Sequence, residues 1–395
     1  MRPMFTEQEK NPDLKTKPLI YDKHHSFEGF HSSKDAGVIA NQRERAIRIL
    51  KDSLQENNKG PHFKILRLAL SELEKDKQEF ESNFRITPFI AEEMETLDGE
   101  QVLRYLFHRY RYDVFPKYHQ LDDYPPCVQI EPSSMCNYRC IFCYQQYFHK
   151  YSNMMGTMKL PTYKTIVDQL AGHVEFVSLA SRGEPLLCKD LDKMLEYSSG
   201  KFLSLKINTN ASLLKEHHAH AILAGSVRTI VFSVDAVDED MYSQLRVNGN
   251  LKRVVRNIEM FQNIRAKHYP SSKIITRVSG VKVNDSQSME AMKSFWGRLV
   301  DQVTFVKYMP WENIYESLPN DIQQPCSELW LRTFIWYDGQ VNPCECDFLS
   351  HFSVGNIMEH DLAEIWKSSR YQELRQKHLG HLRNSIKICR GCKFT

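Results

Sequence analysis

From residue 127 onward, short apolar segments alternate with amphipathic stretches. The apolar segments are rich in valine, isoleucine and phenylalanine, which is typical of buried strands, and they cover 127–131, 175–180, 203–208, 229–234, 274–281 and 302–308. Apolar residues recur at helical spacing between them, over 163–171, 190–198, 213–224, 251–267 and 288–299. Strands that alternate with helices pair in parallel, and right-handed crossovers curl the sheet. We therefore predict an α/β fold, a partial (β/α)6 barrel whose active site lies at the carboxyl ends of the strands.

Two regions of different character flank this repeat. Helical spacing recurs over 38–53, 63–80 and 99–112, and the prolines at 125 and 126 indicate a linker. The C-terminal part is small and rich in cysteine, with a hairpin predicted around 336–341 and a helix over 362–377. A segment of this size gains much of its stability from a bound metal. We predict a mostly helical region over 1–120, the barrel over 121–310 and a cysteine-rich domain over 311–395.

Charge and hydropathy exclude several classes of function. The 395 residues carry 52 basic and 49 acidic side chains, a formal net charge of +3. This balance gives no basic footprint for nucleic acid. The sequence contains no apolar run of about 18 residues that would cross a membrane, and its polar N-terminus does not resemble a signal peptide. We expect a soluble cytoplasmic protein, and the sequence does not indicate an oligomeric state.

Ten cysteines need an explanation in such a protein. Disulfides are disfavoured in a reducing compartment, so clustered cysteines indicate metal binding or catalysis. Cys127 and Cys188 stand alone and are interpreted as small buried core residues. Of the other eight, seven fall into two groups, and Cys346 lies beside the second group.

The first group is Cys136, Cys140 and Cys143, directly after the first barrel strand. Three thiolates hold three irons of a cubic cluster and leave the fourth iron open to an external molecule. The alternative is structural zinc, which requires four closed ligands. The nearest further ligand type is His149, which is also interpretable as a surface residue.

This CxxxCxxC spacing after the first strand of a βα barrel resembles the signature of radical S-adenosylmethionine (radical SAM) enzymes. In that family, the open iron chelates the methionyl amino and carboxylate groups. An electron from the cluster then splits the sulfonium to give a 5′-deoxyadenosyl radical. The resemblance implies S-adenosylmethionine and a [4Fe–4S] cluster as cofactors. A reduced flavodoxin or ferredoxin is the expected electron donor.

Further segments resemble family motifs and occur in the order that the fold requires. The resemblance implies that they bind the cofactor: Phe142 before the third cysteine, Gly183, Glu184 and Pro185 after the second strand, Asn208 and Asn210 at the end of the third, Ser233 and Asp235 at the end of the fourth, and Arg246 beyond it. An arginine suits the cofactor carboxylate because its guanidinium binds carboxylates in bidentate fashion. Each match has a simpler interpretation, such as a turn, a helix cap or a solvated arginine.

The second group comprises Cys326, Cys344, Cys389 and Cys392. Four cysteines supply all the ligands of a closed iron–sulfur cluster or of zinc. Their arrangement resembles the SPASM extension in its shorter twitch form. Because four ligands leave only Cys346 spare, the resemblance implies one auxiliary [4Fe–4S] cluster, with zinc as the alternative.

Cys346 leaves the reaction outcome open. It is interpretable as a buried structural thiol, as a replacement ligand, or as a hydrogen-atom donor to the substrate. An auxiliary cluster that accepts a second electron implies dehydrogenation, whereas a donor thiol implies epimerisation; dehydrogenation is favoured because every cluster ligand is accounted for.

The resemblance implies a small polar substrate, such as a sugar, an aminocyclitol or a nucleotide-linked metabolite. Arg277, Lys282 and Tyr308 are guesses for its contacts. The alternatives are a peptide-modifying maturase and a non-catalytic iron–sulfur scaffold.

Overall fold

The structure, a computed structural model, describes residues 27–32, 37–56, 61–75 and 82–395. Its strands are β1 Phe27–Ser32, β2 Cys127–Ile130, β3 Arg139–Cys140, β4 Phe176–Leu179, β5 Ser204–Thr209, β6 Thr229–Ser233, β7 Arg246–Val247, β8 Ile275–Lys282, β9 Gln302–Lys307, β10 Arg332–Ile335, β11 Gln340–Asn342 and β12 Gly355–Asn356. Its helices are α1 Gly37–Glu56, α2 Pro61–Glu74, α3 Pro88–Glu95, α4 Gly99–Val114, α5 Gln145–Phe148, α6 Leu160–Leu170, α7 Leu191–Ser198, α8 Glu216–Ala224, α9 Glu239–Leu245, α10 Leu251–His268, α11 Met289–Trp296, α12 Glu328–Leu331, α13 Leu362–Lys367 and α14 Ser369–Leu379.

One large sheet runs through the described part of the chain, in the order β1-β9-β8-β6-β5-β4-β2-β10-β11-β12. The strands from β9 to β10 are parallel, and β1, β11 and β12 add antiparallel edges. The predicted α/β fold with six parallel barrel strands is confirmed. The sheet is open, since its outer strands β1 and β12 pair with β9 and β11 and not with each other.

The two faces of the parallel sheet differ in character. Residues such as Val128, Leu205, Ile207, Ile230 and Phe232 face the surrounding helices and belong to the main apolar core. The alternate residues, among them Lys206 and Asn208, face inward and are largely polar. This inner face carries the cavities described below.

The N-terminal helices α1 to α4 form a second apolar core. It includes Cys127, Phe176 and Leu203, which lie at the amino ends of three strands, so these helices close that end of the sheet. Asp98 begins α4 with a capping box, in which its side chain and that of Gln101 each accept a backbone N–H. The first of the three predicted regions also contains β1, which pairs with β9; its sequence, FEGFHS, has no β-branched residue to signal a strand.

Two predicted helices lie in the flanking regions. The single helix predicted over 362–377 is wrong, because Ser368 leaves helical geometry (φ −57°, ψ 152°) and starts a new helix by accepting a hydrogen bond from the Tyr371 N–H. The predicted helix over 63–80 corresponds to α2, and its last residues lie outside the described residues. None of the helices in the described ranges combines the length and apolarity needed to span a bilayer.

Candidate active site

The cysteine loop that follows β2 is held by a short ladder. Cys140 lies on β3 and pairs with Arg246 on β7, so a residue 106 positions away is fixed against the loop. The sulfur of Cys136 accepts the Tyr138 N–H at 3.4 Å, and that of Cys143 accepts the Gln145 N–H at 3.5 Å. Backbone hydrogen bonds of this kind orient and tune the sulfurs of iron–sulfur sites.

Burial controls the protonation of these thiols. Loss of water contact, and then the carboxylate of Glu184, raises the pKa of Cys136 to about 12. Burial and the neighbouring Cys140 raise the pKa of Cys143 as well. The thiols are therefore protonated unless a cation is bound, and metal binding releases their protons.

The Gly183–Glu184 turn packs directly on this loop. A methyl group on Gly183 would lie 2.2 Å from the Met135 carbonyl oxygen and 2.4 Å from that of Ser133, so only glycine fits. The Glu184 N–H donates to the Met135 carbonyl at 2.8 Å. Pro185 follows and begins a 3-10 turn that the Glu184 side chain caps.

The Glu184 carboxylate turns towards the end of β5. It accepts the Asn210 N–H at 2.8 Å and the Thr209 hydroxyl at 2.6 Å, and burial raises its pKa. The Asn210 side chain in turn donates to Asn137 of the cysteine loop at 3.0 Å. Asn208 lies apart from this network, on the inner face of the sheet. Asn137 was missed by the sequence analysis, and nothing in its local pattern marks it.

A buried ion pair completes the group. Arg246 Nε and Nη2 lie 2.5 and 3.1 Å from the two oxygens of Asp235, which follows Ser233 at the end of β6. Burial alone would lower the pKa of Arg246, but the charge of Asp235 raises it, so the guanidinium stays protonated. Its Nη1 is 3.7 Å from the sulfur of Cys140, and the guanidinium lies 5.6 Å from the centre of the Phe142 ring.

The second cysteine group also assembles. Burial is the main cause that raises the pKa of Cys389. The negative charges of the neighbouring thiolates raise it further, because the four sulfurs lie close together; these neighbours are Cys392, Cys344 and Cys326. The Cys326 N–H donates to Nδ1 of buried His378 at 3.1 Å, and Arg383 donates to the Cys392 carbonyl at 3.1 Å.

The spacing of the thiols bears on the choice of metal. A tetrahedral zinc ion with Zn–S bonds of about 2.3 Å holds its sulfurs about 3.8 Å apart. Among the described residues, only Asp192, His217 and His218 bring three ligand atoms within 4.8 Å of one another. Neither cysteine group is that tight, which suits a larger iron–sulfur cluster in both places.

Aromatic side chains fill the space between the two cysteine groups. Tyr144 stacks on Phe348 with ring centres 5.1 Å apart, and Trp311 donates to the Phe142 carbonyl at 3.0 Å. Behind them, Arg182 forms a buried bidentate pair with Glu131, with both distances 2.7 Å. The two cysteine groups therefore belong to one continuous packed unit.

Cys346 lies in the apolar cluster beside the second group, only 1% exposed. It lines neither of the two cavities on the inner face of the sheet. The lower cavity, of about 290 Å³, lies at the amino ends of the strands, and the upper cavity, of about 220 Å³, lies at the carboxyl ends of β8 and β9. Of the guessed substrate contacts, Arg277 lines the lower cavity and Tyr308 the upper one, whereas Lys282 lines neither.

Family models agree with this geometry. The model of the radical SAM superfamily matches residues 130–293, and SPASM, described as an iron–sulfur cluster-binding domain, matches residues 326–393. The chain belongs to the radical SAM superfamily. The predicted family, its SPASM-type extension and its cofactors are thereby confirmed: the first domain implies S-adenosylmethionine and a [4Fe–4S] cluster, and the SPASM domain implies auxiliary iron–sulfur binding.

Two curated proteins and one solved structure illustrate what this chain is similar to. GTP 3′,8-cyclase of Clostridium botulinum is 24% identical over 189 residues, which are 46% of this chain and 56% of that protein. This chain thus spans about half the length of the first curated relatives it matches. The S-adenosyl-L-methionine-dependent 2-deoxy-scyllo-inosamine dehydrogenase of Niallia circulans is 23% identical over 274 residues, 67% of this chain and 91% of that protein. The structure of Streptococcus suis SuiB bound to the precursor peptide SuiA has a TM-score of 0.51 at 16% identity, covers 89% of this chain and 88% of that one, and supports the fold.

Proposed function

We propose that this chain reductively cleaves S-adenosylmethionine to a 5′-deoxyadenosyl radical, abstracts hydrogen from a small polar metabolite and oxidises it by two electrons overall. The observation that carries the proposal is the convergence of Cys136, Cys140 and Cys143 with the Gly183–Glu184 turn and the Asp235–Arg246 pair. These groups come from separate strands and meet at the carboxyl edge of the sheet.

Each of these residues has a task at the cofactor. The three thiolates would hold three irons of a [4Fe–4S] cluster, which would supply the electron that cleaves S-adenosylmethionine. Asp235 keeps Arg246 charged and oriented. The Nη1 atom of Arg246 points towards the sulfur of Cys140, and a guanidinium at this place suits the carboxylate of S-adenosylmethionine. Phe142 offers an aromatic face beside it. Gly183, Glu184 and Pro185 form a turn at the cofactor, with Asn210 and Ser233 at the neighbouring strand ends. Asn208 lies apart from these residues, on the inner face of the sheet.

The fate of the substrate depends on the second site. Cys326, Cys344, Cys389 and Cys392 supply the four ligands of one auxiliary [4Fe–4S] cluster. When bound, this cluster would supply an acceptor for the second electron, and the two-electron oxidation would remove one hydrogen atom, one electron and one proton from the substrate. A reduced flavodoxin or ferredoxin supplies the electron for cofactor cleavage.

Oxidation is supported over epimerisation by the position of Cys346. A donor thiol must reach the substrate, yet this one is buried in an apolar cluster and lines neither cavity. Similarity over 91% of a relative named as a dehydrogenase of 2-deoxy-scyllo-inosamine supports a substrate of the sugar or aminocyclitol kind. Cavities of about 290 and 220 Å³ suit a metabolite of that size.

The test is formation of 5′-deoxyadenosine and methionine by the anaerobically reconstituted protein with a reductant. Wild type is expected to form both, and Cys140→Ala is expected to form neither while remaining folded. Cys188→Ala removes a buried core thiol that belongs to neither cysteine group, and it is expected to retain activity. Equal yields from wild type and Cys140→Ala, or no product from wild type, would instead support a non-catalytic scaffold.

A further inference from the structure

The 3-10 turn Arg383–Ser385, which follows α14, places a charged side chain inside the C-terminal part of the molecule. The side chain of Arg383 is completely buried. Arginine is almost never buried to this degree unless it is paired with an opposite charge. Yet Arg383 forms no ion pair with any carboxylate in the part of the chain that the structure describes. Its positive charge is therefore not neutralised by these residues.

The hydrogen bonds of Arg383 all go to backbone carbonyl groups. Nη1 donates to the carbonyl of Gln324 at 2.7 Å, and Nη2 donates to the carbonyls of Cys392 and Phe394 at 3.1 and 3.0 Å. These bonds orient the guanidinium but bring no negative charge to it. The Nε–H is buried as well and has no acceptor among the described residues. A buried donor without an acceptor is rare in folded proteins and indicates that a further group binds at this place.

The guanidinium lies against the second cysteine group. It binds the carbonyl of Cys392, and through Gln324 it also holds the chain two residues before Cys326. Its charge reaches a third cysteine, because burial and the neighbouring thiols raise the pKa of Cys389 whereas Arg383 acts in the opposite direction. One buried cation thus serves both ends of the cysteine group.

Other basic side chains near these cysteines do not share this role. His378 accepts the Cys326 N–H with Nδ1 at 3.1 Å, which requires a lone pair on that nitrogen and therefore the neutral imidazole. Lys387 and Arg390 are exposed, so water and salt screen their charges. The charge of Arg383 is not screened in this way.

We propose that Arg383 is the buried counter-ion of the auxiliary cluster and raises its reduction potential, which favours transfer of the second substrate electron to that site. This inference rests on the proposed function and adds a residue to it. Four thiolate ligands would make the bound group anionic, and an unpaired guanidinium with a free Nε–H suits such a group in charge and in hydrogen bonding. Arg383 is a positioning residue, since it acts through the cluster and not on the substrate.

The direction of the effect follows from electrostatics. Net charge and hydrogen bonds to the sulfurs are among the properties that set the potential of an iron–sulfur cluster. When the substrate radical is oxidised, one electron reaches this site and one proton is released to solvent. The electron adds a negative charge, which Arg383 stabilises. Its stabilisation is strong because Ile388, Cys392 and Phe394 belong to a buried apolar cluster, where charges interact more strongly than in water.

The test is a redox titration of the reconstituted full chain, followed by electron paramagnetic resonance. The three cysteines of the first group are replaced by alanine in every protein, so that the signal comes from the auxiliary cluster alone. Arg383→Gln keeps a hydrogen-bond donor but loses the charge. We expect its equilibrium constant for one-electron reduction to fall at least tenfold, which is a shift of about 59 mV to lower potential.

Two further variants are the controls. Arg383→Lys keeps the charge, and its equilibrium constant is expected to stay within about threefold of that of the parent protein, since the charge carries the effect. Arg390→Gln removes an exposed arginine next to one of the grouped cysteines. It changes the net charge by the same amount as Arg383→Gln, but screening by solvent should keep its effect within about threefold.

The outcomes separate this inference from the proposed function. A potential in Arg383→Gln equal to that of the parent overturns the counter-ion, and so does an equal fall in Arg390→Gln. If Arg383→Gln incorporates no iron, incorporation by Arg383→Lys supports the need for a charge, and its failure assigns Arg383 a purely structural role. A parent protein that holds zinc, or no reducible centre, counts against the auxiliary cluster itself, and the role of Arg383 is then rejected with it.

Discussion

Arg246 lies opposite Cys140 in an antiparallel ladder of two residues, and its Nη1 is 3.7 Å from the cysteine sulfur. The same guanidinium binds Asp235 through its other two nitrogens. One side chain thus links the first cysteine group to the end of β6. Both partners are buried, so the orientation of the guanidinium is fixed by the fold.

This arrangement predicts the effect of Arg246→Lys. A lysine retains the charge but cannot bind Asp235 in bidentate fashion and still reach the cofactor. We expect affinity for S-adenosylmethionine to fall at least tenfold and 5′-deoxyadenosine formation to slow, with iron content unchanged. Equilibrium dialysis and product quantification measure both effects. Arg253→Lys on the exposed face of α10 is the control, and an Arg246→Lys protein with wild-type affinity would reject the assigned role.

Gly183→Ala tests the packing between the Gly183–Glu184 turn and the cysteine loop. Its methyl group would meet two backbone carbonyls at 2.2 and 2.4 Å, and backbone atoms cannot move aside as a side chain can. We expect a loss of stability of about 1–3 kcal/mol and reduced iron incorporation. Thermal melting and iron analysis check these expectations.

Gly99→Ala is the matched control, because a methyl group there meets nothing within 4 Å. Gly99 begins α4, so alanine should be neutral or slightly stabilising. If both alanine variants melt like wild type, the close approach at Gly183 is not a constraint.

The Glu131–Arg182 pair predicts a large effect of Glu131→Gln. Both side chains are almost fully buried, and Glu131 also accepts the Tyr337 N–H at 3.2 Å, while Arg182 donates to the Phe348 carbonyl at 3.0 Å. Replacing Glu131 by glutamine leaves the positive charge of Arg182 buried without a partner charge. We expect the free energy of unfolding to fall by about 3–5 kcal/mol. Urea unfolding measures this loss.

An exposed pair provides the comparison. Lys377→Met breaks a contact with Glu373 on the surface of α14 and should change stability by less than about 0.5 kcal/mol. If the loss in Glu131→Gln is as small as this, the buried pair does not hold the barrel strands to the C-terminal region.

Lys206→Met should stabilise the protein at neutral pH. The pKa of Lys206 is lowered from 10.5 to about 8, so folding buries an unfavourable charge at every pH below about 8. Between about pH 8 and 10.5 the folded protein binds fewer protons than the unfolded chain, and wild-type stability therefore rises with pH relative to the variant. We expect Lys206→Met to be more stable by about 1–3 kcal/mol at pH 7, with a smaller difference at pH 10.

Urea unfolding at the two pH values measures this difference, and Lys193→Met, at a lysine 67% exposed on α7, is the control. A Lys206→Met protein that is less stable than wild type at pH 7 would mean that the lysine has a structural partner.

Sequence patterns predicted most of the strands and helices, because these elements depend on the burial of apolar residues. Each predicted barrel strand is present within one or two residues, since segments such as 229–234 have no competing helical pattern. The break at Ser368 was missed because serine is also tolerated inside helices, and only its cap geometry divides α13 from α14.

The contacts between the residues of the site were harder to predict from the sequence. The pairing of Cys140 with Arg246 joins residues 106 positions apart, and no local pattern encodes it. Asn137 and its partner Asn210 depend on the same long-range packing. The polar inner face was predictable in principle, because Lys206 and Asn208 alternate with the buried Leu205 and Ile207 in a strand flanked by helices.

The central claim is that the chain holds two clusters, one of them at the open site formed by Cys136, Cys140 and Cys143. The most direct measurement is iron and sulfide per chain after anaerobic reconstitution, in wild type and in a variant with these three cysteines replaced by alanine. The account predicts about eight irons in wild type and about four in the variant, since each cubic cluster contains four. About four irons with one zinc in wild type would contradict the auxiliary cluster, and equal iron in the two proteins would contradict the first site.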